Sequence, residues 1–217
     1  MPVPPLEIRE AAAEAVHRAV CVVTHDDGCG HCDLYTLAGY ALLPAITELN
    51  YMPQVGNFAA LVDPPTGWFQ ICAEQGGIAR GEYHCWLGLP GPDTGRREQG
   101  VTLFGVGQLV DFSLRHLRQM VASVPQITRV VHQDENSVAL ELAPAHDLIR
   151  YTRPDDFAPY LWIEGEPPSD VVYTPDLGAM GEFVERNVRR PRLMTELRDR
   201  VLTEYARIAR ERGIPPP

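Results

Sequence analysis

The sequence predicts an α+β domain in which an antiparallel sheet packs on a central helix, with further helices at both ends of the chain. Three observations carry this reading. From Cys32, the residues Leu34, Leu37, Ala38, Ala41, Leu42, Ala45 and Ile46 recur at helical intervals until Asn50 and Pro53 close the segment. Between 56 and 142 the chain breaks into short runs rich in β-branched and aromatic residues. From 177 to 212 the spacing returns to helical. There is no alternation of strand and helix of the kind that builds a parallel sheet.

Residues 1–4 read as a Pro-containing arm, and 6–20 as a helix with Leu6, Ala12, Ala13, Val16 and Val20 on its inward stripe. Strands are expected at about 56–62, 68–73, 79–89, 100–104, 107–112, 128–132 and 137–142, with Asp134-Glu135-Asn136 as the turn between the last two. The polar loop 90–99 would form a mobile rim beside a site. Residues 144–176, rich in proline, read as loop with one strand. The tail is helical and broken near Pro191, with Leu193, Leu197, Val201, Tyr205 and Ile208 on one stripe. No repeat or low-complexity segment interrupts the 217 residues, which make one domain.

Composition narrows the function. The net charge is −10, which argues against nonspecific nucleic-acid binding. All 19 basic residues are arginine, so lysine-based Schiff-base or phosphate-loop chemistry is excluded. Six of those arginines fall between 186 and 200 and read as a solvated helix face. No stretch of about 18 apolar residues and no secretory leader pattern is present, so the chain is expected to be soluble and cytoplasmic. Five cysteines, an odd number, fit reduced thiols in such a compartment.

Cys32 opens the central helix, where the positive end of the helix dipole lowers a thiol pKa. Gly28 and Gly30 allow the chain to turn into that helix, and Asp33 falls in its first turn. His84 lies in the strand segment Tyr83-His84-Cys85-Trp86-Leu87, with Trp86 and Gly88 on its own face and Tyr83, Cys85 and Leu87 on the other. Asp111 ends the run Leu109-Val110-Asp111-Phe112-Ser113. Thiol, imidazole and carboxylate are the groups a nucleophilic mechanism needs: one to attack, one to move the proton, one to orient the ring.

A Gly-x-Cys at the head of a long helix, a strand His followed by an aromatic, and a strand ending in Val-Asp-Phe-Ser resemble the bacterial transglutaminase-like branch of the papain-like superfamily, relatives of which include arylamine N-acetyltransferases and thiol peptidases. The separations are 52 and 27 residues, in the order Cys, His, Asp. The resemblance covers about residues 25–115. It implies a papain/transglutaminase-like fold with a core over about 20–145 and a helical extension over 177–212. It also implies Cys32 as nucleophile, His84 as general base and acid, and Asp111 as orienting group in a hydrolase or acyltransferase acting on an amide or thioester of a small molecule or peptide. No cofactor or metal is implied. No glutamine precedes Gln54, so the upstream glutamine of papain itself has no counterpart here. The oxyanion would be held by the Cys32 amide and a second donor, for which His25 and Tyr51 are the candidates; Trp86 is expected in the core or pocket wall beside the substrate.

Other readings use the same residues. Cys29-Gly30-His31-Cys32 has the spacing of a thiol-disulfide oxidoreductase, with Val20–Thr24 as the strand that would feed it. His25, Asp26, Asp27, Cys29, His31 and Cys32 could ligate zinc together with His84 or Cys85, although a second spaced pair is missing. An inactive papain-like scaffold used for binding is a third reading, to which the missing glutamine points. Cys21, Cys72 and Cys85 lie in apolar runs and read as core, while Trp68 and Trp162 read as core or pocket wall; His116, His132 and His146 have no partner at interpretable spacing.

Overall fold

Helix α1 (Leu6–Thr24) opens the chain in the computed structural model. The structure describes residues 2–63, 67–71, 83–91, 96–98, 101–103, 106–117, 119–120, 126–133, 138–144, 159–165 and 171–215, with side chains described outside 61–71, 96–106, 126–144 and 188. Helix α1 runs four residues past its expected end and stops where His25 takes a left-handed conformation, its N–H returning to the Cys21 carbonyl at 3.0 Å. Its small residues Ala11, Ala12, Ala15 and Ala19 are fully buried with Val16 and Val20. Leu6, expected on this stripe, is instead 54% exposed, because it precedes the turns that reach the core.

Helix α2 (Cys32–Thr47) ends at Glu48, two residues before the expected Asn50. It lies directly on the sheet: a Cβ at Gly39 would stand 2.6 Å from Leu87 and 2.8 Å from Phe112. Leu34, Leu37, Ala38, Leu42 and Leu43 are buried, whereas Ala45 is exposed despite its spacing.

The strands are β1 (Met52–Asp63), β2 (Gly67–Ile71), β3 (His84–Pro90), β4 (Arg96–Glu98), β5 (Val101–Leu103), β6 (Val106–Asp111), β7 (Gln126–Gln133), β8 (Val138–Pro144), β9 (Leu161–Glu164) and β10 (Val171–Pro175). The main sheet has the order β8-β7-β2-β1-β3-β6-β9, with β10 also on β1 and every described pairing antiparallel. Two expectations need correction. Part of the predicted rim loop forms β4, which pairs with β5, and the proline-rich segment holds two strands rather than one. The turn at 134–136 and the strand start at 79–82 lie outside the described residues. Helices α3 (Leu177–Val188) and α4 (Pro191–Arg212) follow, parted at Pro191, which occupies the first turn of α4 where its missing N–H leaves no bond unmade. No described helix is long and apolar enough to cross a membrane.

The registers divide the sheet into two faces. Val55, Cys85, Leu87, Val110 and Trp162 point toward the helices and join α1, α2 and α4 in one apolar core. Phe58, His84, Trp86, Asp111 and Tyr173 belong to the opposite face. One edge of β1 serves two partners in succession: Met52–Gly56 pairs with β3 and Gly56–Ala60 with β10. The sheet therefore forks at Gly56, which opposes both His84 and Pro175. Only glycine fits the fork, since a Cβ there would fall 2.1 Å from the Thr174 carbonyl oxygen.

Candidate active site

The fork explains how a helix on one side of the sheet reaches a histidine on the other. Strand β3 is described from His84, and the N-terminus of α2 comes against that end, beside Tyr83. The Cys32 sulfur stands 3.7 Å from the carbonyl oxygen of Tyr83, and the neighbouring Cys85 thiol and His84 ring both act on its ionisation.

His84 is fully buried. Its Nε2 lies 2.7 Å from Asp111 Oδ2. Nδ1 is buried and has no hydrogen-bond partner among the described residues. Since Nε2 is committed to the carboxylate, Nδ1 is the nitrogen left for Cys32. Phe58 holds the ring at a centroid distance of 4.4 Å, with Tyr173 at 6.1 Å and Trp86 at 6.3 Å. Such packing fixes the ring orientation that a single hydrogen bond would leave free to swing.

Asp111 is held at both oxygens. Oδ2 also accepts the Tyr173 hydroxyl at 2.9 Å, and Oδ1 accepts the Ser113 N–H at 2.8 Å and the Ser113 hydroxyl at 2.7 Å. Burial raises the carboxyl pKa, but the His84 charge and these donors outweigh it and hold the group below its usual value.

The thiol and the imidazole are displaced in opposite directions. For Cys32 the first contributor is the Cys85 hydrogen bond; burial opposes it, and the His84 contact and charge reinforce it, so the pKa falls to about 6. Burial, the first effect on His84, disfavours its charge, yet the Asp111 charge, the Asp111 hydrogen bond and Cys32 lift its pKa to about 10. Cys85 moves well upward, chiefly through burial. Two adjacent thiols share one ionisation, and the negative charge belongs on Cys32, which has the helix N-terminus and the imidazole. Both displacements favour the thiolate and imidazolium forms of the pair.

The structure thus gathers Cys32, His84 and Asp111. Trp86 is buried on the same face of the sheet, its ring T-shaped against Tyr173 at 5.1 Å. Of the two expected oxyanion donors, Tyr51 stands elsewhere and His25 faces solvent. Tyr51 precedes β1 beyond the Met52–Gly88 pair, about four strand residues or ~13 Å along the sheet from His84, and its hydroxyl is donated to Gln108. His25 is exposed as the terminating residue of α1. At the head of α2, Asp33 is buried and accepts from the Leu34 N–H at 3.0 Å, so the His31 carbonyl and Asp33 side chain anchor the first turn. Arg186 of α3 reaches Asp33 at 4.0 Å and the Tyr83 hydroxyl at 3.2 Å, whereas Arg189, Arg190, Arg192, Arg198 and Arg200 are exposed as expected of a solvated face.

Tyr173 was not legible as a site residue, being 62 positions from Asp111. Ser113 had a signal, since a serine two residues after an aspartate is the pattern of a local side-chain turn. Cys85 is buried as expected, but against Cys32. Cys72 and His146 lie outside the described residues, as do the side chains of Trp68 and His132.

The strand that an oxidoreductase reading needs at Val20–Thr24 is the last turn of α1. Among the described residues no group of three or more His, Cys, Asp and Glu is disposed to hold a metal ion.

No protein-family model matches the chain, and no curated protein matches it. A solved structure described only as the crystal structure of a genomics target aligns with 92% of this chain and 78% of its own at 11% identity, with a TM-score of 0.49.

Proposed function

We propose that the protein is a papain-like thiol hydrolase or acyltransferase in which Cys32 forms an acyl-enzyme. The observation that carries the reading is the single line of groups from the Cys32 sulfur through His84 to Asp111, with the second ring nitrogen of His84 already committed to the carboxylate.

The thiolate attacks the carbonyl carbon of an amide or thioester, and the developing oxyanion meets the Cys32 amide at the head of α2. As the tetrahedral adduct collapses, Nδ1 of the imidazolium gives its proton to the departing amine or thiol. The ring, now neutral and still held by Asp111, takes a proton from water or from an acceptor amine, whose heteroatom attacks the acyl carbon. Collapse returns the thiolate and the imidazolium. Asp111 keeps its charge throughout, steadying the ring without taking the proton. Hydrolysis and amine transfer use the same groups, and the acceptor is selected by the pocket.

The test uses p-nitrophenyl acetate as a generic acyl donor. Wild-type protein is expected to gain one acetyl group, located on Cys32 by peptide mass spectrometry, and to release nitrophenolate catalytically. Cys32→Ala should do neither, and Cys29→Ala should do both. Acetylation spread over several residues, or turnover that survives Cys32→Ala, would overturn the proposal.

A further inference from the structure

Outside the site, a continuous chain of hydrogen bonds crosses the helical side of the molecule. Its links are His17 Nδ1 to the Tyr35 hydroxyl at 2.6 Å, that hydroxyl to His116 Nε2 at 2.8 Å, His116 Nδ1 to Gln119 Oε1 at 2.6 Å, and Gln119 Nε2 to Asp27 Oδ2 at 3.1 Å. Sequence spacing gave His116 no partner; the fold gives it two. The proton order follows from one end. The Asp27 carboxylate only accepts, which fixes the Gln119 amide and turns its Oε1 toward His116. His116 Nδ1 therefore carries a hydrogen, and in the neutral ring Nε2 keeps the lone pair. Tyr35 donates to that lone pair and accepts from the Nδ1–H of His17. Both ends of this order agree with the surroundings: burial, followed by the Arg115 charge, pushes His17 down to about 4, and burial pushes the Tyr35 hydroxyl up, so neither ionises at neutral pH.

The chain ends in the turn that delivers Cys32. Asp27 Oδ1 accepts the Cys29 N–H at 2.9 Å, Asp26 Oδ1 accepts the Gly28 N–H at 2.7 Å, and Asp26 Oδ2 meets His31 Nε2 at 3.1 Å. Gly28 and Gly30 have φ of 82° and 80°. The turn rests on Tyr35 so closely that a Cβ at Gly28 would stand 2.6 Å from the tyrosine oxygen. Tyr35 lies three residues after Cys32, one turn along α2, and is 1% exposed.

We infer that His17, Tyr35, His116, Gln119 and Asp27 form a positioning device for the nucleophile, fixing the Asp26–His31 turn and thereby the placement of the Cys32 sulfur against His84. The inference rests on the reading of Cys32 as an activated thiol. Its physical content is that a thiolate contact is lost quickly with distance and angle, while a turn containing two left-handed glycines has little rigidity of its own. The tyrosine hydroxyl supplies that rigidity from below, and the Gln119–Asp27 bond supplies it from the side.

The test is iodoacetamide alkylation of Cys32 against pH in the full chain, followed by mass spectrometry, which needs no knowledge of the substrate. Tyr35→Phe removes one oxygen and leaves the ring packing. It is expected to move the alkylation midpoint upward by about one unit, slowing the reaction at pH 5 by about tenfold while leaving the plateau at high pH, where the thiol is ionised in both proteins, within about twofold. Gln119→Ala, at an exposed position, should move it the same way by about half as much. A purely structural role would lower the plateau together with the acid limb. Profiles that superimpose on a wild type whose midpoint is depressed, or an equal loss at every pH, would overturn this inference alone; a wild-type midpoint at the ordinary thiol value would overturn the thiolate reading and this inference with it. If Tyr35→Phe does not fold, Gln119→Ala decides.

Discussion

His84 Nε2 and Asp111 Oδ2 lie 2.7 Å apart in a part of the sheet where both side chains are almost wholly excluded from solvent. In that setting the carboxylate is what allows the imidazole to be charged, and its three further hydrogen bonds from Ser113 and Tyr173 are what allow the carboxylate to stay charged. Asp111→Asn keeps the shape and removes the charge. It is expected to lower p-nitrophenyl acetate turnover by roughly 10²–10⁴-fold, the usual size of a general acid–base contribution that depends on the oriented ring. Cys32 should remain alkylatable at high pH. Tyr173→Phe removes one donor of four and should cost much less. Steady-state kinetics of the two variants side by side would show whether the order holds.

Opposite displacements of Cys32 and His84 predict a plateau. Alkylation of Cys32 should rise through about pH 6, and turnover that needs the imidazolium should fall toward pH 10. The signs for stability are also opposite. His84 is raised above its unfolded value of 6.5, so its contribution is present below pH 6.5 and is lost as pH rises toward 10. Cys32 is depressed below 9.0, so its contribution is present above pH 9 and is lost as pH falls toward 6. Between pH 6.5 and 9 the two slopes offset, and this pair makes stability nearly independent of pH. Cys32→Ser removes one of them, so its stability relative to wild type, measured by urea unfolding, should change with pH across that window.

How much of this was readable beforehand depended on the range of the interactions. The start of α2 at Cys32 is set by local spacing and by the glycines before it, and it appears where expected. The break at Pro191 is equally local. By contrast, β-branched Val22, Val23 and Thr24 continue α1 because the buried alanine face ahead of them has already committed the helix. Tyr51 has the chemistry of an oxyanion donor, but the β1–β3 register places it at the far end of the sheet. That register, the fork at Gly56 and the arrival of Tyr173 from a strand after residue 170 are long-range facts without a local signature.

Cys85 offers a test of what holds the Cys32 thiolate. Its own ionisation is pushed well up by burial, so its S–H is retained and can donate to the neighbouring sulfur. Cys85→Ala should raise the Cys32 alkylation midpoint by about one unit, a tenfold loss of rate on the acid side. Cys85→Ser keeps a donor of similar size and should restore most of the rate. An unchanged midpoint in Cys85→Ala would show that His84 and the helix terminus suffice.

Gly56 carries the last prediction, because the site depends on two strands meeting end to end at one residue. Alanine there would place a methyl group 2.1 Å from the Thr174 carbonyl oxygen and 2.8 Å from the Asp176 nitrogen, both backbone atoms that cannot rotate aside. Either β10 moves or the Val55 carbonyl loses its 2.9 Å bond from the Asp176 N–H. Overpacking of this kind costs about 1–3 kcal/mol, read as a lowered midpoint in urea or thermal unfolding. Moving β10 also carries Tyr173 away from Asp111, so turnover should fall by more than the lost stability alone explains, in samples still fully folded at the assay temperature. Gly181→Ala is the control: its Cβ meets nothing within 4 Å in the middle of α3, and the change should stabilise by about 0.5–1 kcal/mol without touching turnover.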